Sequence, residues 1–429
     1  MNTFARIAPT GRLLAALLMV ACTLQFGSAM AAFKEKEPEP PKADPAKPTV
    51  RMEIATPLKA AQALLKDKKY TEALAEIAKT DAIPEQTPHE VYVINHLRGV
   101  AAAFADQKEL AVKSLQTSLA TGRFPPADFA QTYEVMSGLY YKMKDYKNAA
   151  IWANKALNEA GSTNAETRYV LAYSSFLQDD FATTIKETNT LVSDAEKAGK
   201  APVEGQLRML ASSYNKIKDT AGYAAALEKL VTLYPKREYW ADVVYRAESA
   251  PKFSERLVLD AFRLKLYAGL LASGGEYTEM ADAAMQSGYS IEAQKVLEAA
   301  QKPEVEKTTG DIARHKKLME TVTKEVAEEK KRMARGEAAA AKTALALVNN
   351  GFNYVLNGDS AKGLAMMEEG VKMPGLKYPD EARLRFGVAL VYAGQKDKAI
   401  EVFNGIKGTE GTGDLAHLWT ILVKQPPKS

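Results

Sequence analysis

The stretch AQTYEVMSGLYYKMKDYKNAAIWANKAL, residues 130–157, decides the fold. Two runs with helical spacing flank a short Lys144-Asp145 turn. In the first run Ala130, Tyr133, Ser137 and Tyr140-Tyr141 fall on one side; in the second Ala149, Ala153 and Ala156 do so. Small side chains at Ser137 and Ala149 let two antiparallel helices approach closely, because bulk at the crossing sets their separation. Tyr140 and Tyr146 are expected to fill the wedge beside that contact. One such pair cannot bury its apolar face alone, so it must stack on a neighbour.

The same pairing recurs outward from there. A small residue is followed by a second one 12 positions later at Ala61/Ala73, Gly99/Ala111, Ser137/Ala149, Ala281/Ala293, Gly351/Gly363 and Gly387/Ala399. The leading residues are 38, 38, 144, 70 and 36 apart, and the large gaps are near multiples of one unit. Ala172 and Ala211 stand at the expected phase inside the first gap, although Thr184 and Tyr223 replace their small partners. A fixed period of this size marks a stacked repeat architecture. Pro84, Pro88, Pro125-Pro126, Pro202, Pro235, Pro251, Pro303 and Pro374 punctuate the boundaries, and no alternating strand pattern appears.

These residues resemble the tetratricopeptide repeat (TPR) family. Leu139-Tyr140-Tyr141 with Asp145-Tyr146 and Ala149 looks like its signature, as do Gly351-x2-Tyr354, Ala399-x3-Phe403 and residues 281–300. Tyr234-Pro235 closes one unit and Trp240-x2-Val243 opens the next. The resemblance covers roughly 58–408 and implies an all-α, right-handed superhelical solenoid of about nine antiparallel helix pairs. Residues 304–343 hold no legible pair and read as a long charged helical segment, with Glu328-Glu329 ahead of Lys330-Lys331-Arg332. That segment divides a solenoid over 56–303 from C-terminal pairs over 344–429. A last helix over Asp414–Val423 is expected to cover the open end of the stack with Trp419.

Residues 1–31 read as a secretory signal peptide: Arg6 and Arg12, an apolar run from Leu13 to Val20, and a small-x-small site at Ala29-Met30-Ala31. Cys22, the one cysteine, is a candidate acylation site, but apolar Leu24 and Phe26 continue the segment and a better cleavage site follows. The expected compartment is the periplasm. The net charge of +4 falls to +2 when Arg6 and Arg12 leave, and no basic stripe marks a nucleic-acid footprint. No further run is long and apolar enough to be a transmembrane helix. Residues 32–55 contain KEKEPEPPKADPAKP (34–48), a Pro/Lys/Glu-rich stretch expected to be a disordered tether.

Chemistry finds no anchor. His89, His96, His315 and His417 form no zinc motif, and no phosphate-binding or nucleophile-elbow signature occurs. Ser213-x2-Lys216 has serine acyl-enzyme spacing but sits in a repeat helix without its partner motifs. No cofactor is implied and a non-enzymatic role is expected. In the TPR family the first helix of each pair lines the concave face. The resemblance therefore implies a groove from Val93, His96, Val100 and Phe104 through Glu134, Tyr141 and Lys142 to Tyr169, Tyr173, Phe176 and Leu177. Arg208, Ser212, Asn215 and Lys216 extend it. The implied role is a periplasmic scaffold that binds a protein or peptide partner in an envelope assembly, secretion or energy-transduction complex. The alternatives are a platform for a cell-envelope enzyme, or a small-molecule binder in the lumen of the superhelix. Leu233–Trp240 (LYPKREYW) is also similar to TPR proteins that accompany TonB-type systems.

Overall fold

The structure is a computed structural model that describes residues 49–338, 340 and 342–426. The expected signal peptide, Cys22 and nearly all of the tether lie outside the described residues.

The described chain is all-α. Its helices are α1 (Met52–Lys66), α2 (Tyr70–Ala78), α3 (Pro88–Phe104), α4 (Lys108–Ala120), α5 (Phe129–Lys142), α6 (Tyr146–Asn154), α7 (Ala165–Phe176), α8 (Phe181–Lys197), α9 (Glu204–Lys216) and α10 (Thr220–Leu233). There follow α11 (Arg237–Glu248), α12 (Val258–Tyr267), α13 (Gly274–Gln286), α14 (Ser290–Ala299), α15 (Thr309–Ala334), α16 (Ala344–Leu356), α17 (Ser360–Lys372), α18 (Pro379–Tyr392), α19 (Lys396–Asn404) and α20 (Thr412–Lys424). The first helix starts at Met52, inside the stretch expected to be tether, because Ile54 and Ala55 are buried.

One turn defines the repeat. Seven positions after each leading small residue the backbone enters the left-handed region: Lys68, Asp106, Lys144, Asp179 and Lys218, then Gly288, Gly358 and Gly394. The next N–H reaches back five residues in every case, from Lys69 to the Leu64 carbonyl (2.8 Å) through Gln395 to Leu390 (2.8 Å). This is the Schellman helix ending, and its recurrence makes the same hairpin eight times among the described residues. The first five turns carry Lys or Asp where glycine is the easy choice, a strain of roughly 1–2 kcal/mol each.

The small residues do what their spacing implies. Ala61, Ala73, Ala111, Ser137, Ala149, Ala172, Ala281, Ala293 and Ala399 are fully buried. Thr184 also fits at the crossing, because its hydroxyl donates to the Ala172 carbonyl (3.2 Å) and to Asp180 (2.8 Å). Beside Tyr223, Gly222 gives the close approach to α9: a Cβ there would lie 2.4 Å from the Tyr214 ring.

The helices form two compact units, up to Tyr223 and from Ala224. The division falls inside α10. Helix α15, one 26-residue helix over the stretch without a legible pair, packs on α13 and α14 within the second unit. Val322, Val326, Glu329 and Met333 make its buried stripe, while the rest of it is mostly solvated. The first unit packs hairpins in sequence around two apolar clusters, one centred on Leu58, Ile77 and Leu97 and one on Leu115, Met136 and Val170. Its start is held by Arg51, which donates to Glu90 (2.9 Å), the carboxylate of the Thr87–Glu90 capping box. Burial works against that charge, but the Arg51 and Thr87 hydrogen bonds win and hold Glu90 down to about 2.

The second unit closes on itself. A solenoid repeat touches only its neighbours. Here Arg256, just before α12, donates to Glu381 of α18 (2.7 Å) across 125 residues and to Glu410 (2.5 Å) across 154. Helix α20 packs on α18 and α19 and also on α11 and α12. Trp419 therefore does not cover an open end. It is fully buried, stacked on Phe403 (6.0 Å between ring centres) and tilted against Tyr267 (5.2 Å).

Candidate functional site

The hairpin register brings three of the expected groove residues together in the first unit. Tyr141 lies in the last turn of α5, and Tyr169 and Tyr173 lie one turn apart on α7, the first helix of the next hairpin. The Tyr141 and Tyr173 rings meet edge to face at 6.0 Å, and Tyr169 stacks on Tyr173 at 5.8 Å. Tyr146 joins them, 5.9 Å from Tyr141 and 6.3 Å from Tyr173, so it belongs to this cluster as well as to the wedge beside its own crossing. All four rings are half-buried. Tyr141 is half-buried and packs against the apolar core of the unit. Burial, helped by the neighbouring tyrosines, pushes the Tyr141, Tyr169 and Tyr173 hydroxyls up, and Tyr141 shares a hydrogen bond with Tyr169. The cluster is therefore neutral near pH 7, an aromatic surface with hydrogen-bonding heads.

The other groove candidates are placed differently. Phe176 packs on Phe181 across its own hairpin turn, edge to face at 6.1 Å. Lys142, Leu177, Asn215 and Lys216 are exposed, and Arg208 and Ser212 on α9 are half-buried. Glu134 is fixed to the loop before α7, accepting from Ser162 and from Asn164 Nδ2 (3.0 Å). The α3 candidates are corrected: Val93 and Val100 are core, and Phe104 stacks on Tyr70 at 5.1 Å. His96 lies between the Tyr92 and Phe124 rings, where burial holds its imidazole down to about 4. Ser213 is buried and donates to the Met209 carbonyl (2.8 Å), while Lys216 is exposed, so the two are not a nucleophile–base pair.

Two constellations were missed in the sequence. The first is an aromatic ladder in the first unit: His89, Tyr92, His96, Phe124, Phe129, Tyr133 and Trp152 follow one another at 5.3–5.9 Å. Lys155 stands over its last two rings, 5.8 and 5.4 Å from their centres. Phe124 and Phe129 lie around an inter-hairpin loop, outside the periodic positions, which is why spacing did not reveal them. The second is a buried charge cluster in the second unit. Arg263 is fully buried and donates to Asp260 (2.7 Å) and, with two nitrogens, to Glu292 (2.8 and 2.6 Å). Its guanidinium lies 4.7 Å from the Tyr289 ring centre and 4.5 Å from that of Phe352. Arg385 joins Asp260 from α18 at 3.1 Å. The i,i+3 spacing of Asp260 and Arg263 was the one available signal.

The hairpins, their shared turn and their small-residue crossings make the chain an all-α protein of stacked helical repeats. No family model matches it, and no curated protein does. Among solved structures it is similar to a tetratricopeptide repeat protein from Parabacteroides merdae, with 10% identity, a TM-score of 0.32, and coverage of 79% of this chain and all of that one. It is also similar to yeast Tom70, with 11% identity, a TM-score of 0.24, and coverage of 86% and 95%. Superposition over the whole length is loose, so the architecture rests on the hairpins themselves. Among the described residues no helix is long and apolar enough to cross a membrane.

Proposed function

We propose that the first unit is a non-catalytic protein-interaction module whose docking surface is the tyrosine cluster. The observation that carries this reading is the packing of Tyr141, Tyr146, Tyr169 and Tyr173 into one half-buried, neutral aromatic surface on adjacent hairpins. Clustered aromatics with polar heads dominate binding hot spots. Lys142, Arg208, Asn215 and Lys216 would orient an extended or helical peptide, acting mainly on encounter rate. Tyr173→Ala is expected to weaken partner capture by roughly 1–2 kcal/mol or more. Lys216→Ala should act less, with an effect that shrinks in high salt. Pulldown from envelope extract with each variant, alongside a melt, measures both. Undiminished capture by a folded Tyr173→Ala protein moves the surface elsewhere.

The setting we infer is the periplasm, in an envelope complex that includes TonB-type energy transduction among its candidates. The support is the leader-like segment 1–31, the Pro/Lys/Glu stretch 34–48 and the stretch 233–240. Mass spectrometry of the exported protein should find an N-terminus at Ala32 without lipid. Acyl chains on Cys22 would make the protein membrane-anchored instead.

A further inference from the structure

A cleft of about 590 Å³ opens in the second unit, between the C-terminal ends of α12, α16 and α18 and the face of α14. That volume lies within the range of small-molecule sites, which form preferentially between helices of bundles. Its walls are apolar: Leu266, Val296, Val355, Leu356 and Val391. Its polar groups are Tyr267, Tyr392, Lys295 and Glu292. Glu292 is not available to a ligand, because both its oxygens already accept from Arg263 (2.8 and 2.6 Å). The other three are unused. Among the described residues, the Tyr267 and Tyr392 hydroxyls and the Lys295 ammonium make no hydrogen bond or ion pair. Burial pushes the Tyr392 hydroxyl up, so it keeps its proton. An ammonium has only donors, and each hydroxyl has a donor to offer.

Three vacant donors beside apolar walls select a ligand by class. A cation finds no free carboxylate and meets Lys295. A neutral apolar molecule fills the walls and leaves the donors unmatched. We propose that this cleft binds a small amphipathic carboxylate, its apolar body against Leu266, Val296, Val355 and Leu356 and its carboxylate on Lys295 and the tyrosine hydroxyls. This site is in the other unit from the tyrosine surface and stands independently of it.

The probe is decanoate, titrated calorimetrically into the full mature chain below its micelle concentration. Decanol and decyltrimethylammonium serve as matched neutral and cationic probes. Saturable one-to-one binding of decanoate is expected, roughly tenfold tighter than decanol, the size of one charge-assisted hydrogen bond. Lys295→Glu changes an exposed residue and should remove that preference. Leu266→Trp fills the cleft and should abolish binding of both while leaving the melt unchanged. No saturable binding of decanoate overturns the proposal. So does equal affinity for decanol, tighter binding of the ammonium, or unaltered decanoate binding in a folded Leu266→Trp protein.

Discussion

Replacing Arg263 by methionine is expected to destabilise the second unit by about 3–5 kcal/mol, the cost of stranding buried charge. Arg263 has no exposed surface and is bonded to Asp260 and Glu292, which are themselves buried. Burial opposes its charge, but Glu292 and then Asp260 overcome that penalty, so it stays protonated well above the ordinary arginine range. Methionine fills similar space and strips the buried Glu292 carboxylate of the two hydrogen bonds that Arg263 donates to it. Asp260 keeps Arg385 (3.1 Å), which limits the loss on that side. The double change Arg263→Met with Glu292→Leu should recover much of the stability, because an apolar pair of similar volume often replaces a buried ion pair at no net cost. Denaturant titration read from tryptophan fluorescence checks both, since Trp240 and Trp419 lie buried in this unit. A wild-type midpoint for the single variant would mean that the cluster is not closed to water.

The second large effect is expected at Gly363. A Cβ there would lie 2.4 Å from the Gly351 carbonyl oxygen and 2.7 Å from the Val355 nitrogen; one at Gly351 would lie 2.6 Å from the Gly363 oxygen. The obstacles include backbone atoms, so no side-chain rotation relieves them and α16 and α17 must separate. Gly363→Ala should cost about 1–3 kcal/mol through overpacking, even though alanine is favoured over glycine inside a helix by about 1 kcal/mol. Gly205→Ala is the matched control. Nothing lies within 4 Å of a Cβ at that position of α9, so only the propensity gain should appear. If Gly363→Ala melts like the wild type, the close crossing of this hairpin is wrong.

Legibility in the sequence followed locality. The small residues 12 apart reported the crossings because both partners belong to one hairpin. The turn seven positions on was hidden only where Lys or Asp took the glycine position, as at Lys68 and Asp106. Tyr141, Tyr169 and Tyr173 were expected on one surface because they lie on first helices of adjacent hairpins, and their rings do meet. Val93 and Val100 were misplaced because apolar spacing alone does not say which stripe of a helix faces the groove and which faces the next hairpin. Tyr146 was assigned to a local wedge, and only packing revealed its second contact with Tyr173.

The sequence by itself determined an all-α chain of helical hairpins, their phase and their length. Those properties depend on residues within about one repeat of each other, and a period in space leaves a period in the chain. Tertiary structure alone decided the division at 223/224, the burial of Trp419 and the closure of the second unit. It also decided the cluster that joins Asp260, Arg263, Glu292 and Arg385 and the cleft beside it. Arg385 meets Asp260 across 125 residues. A contact of that span is made once, so it has no periodicity to read, and the charges that make it resemble any other solvated pair until the fold takes them out of water.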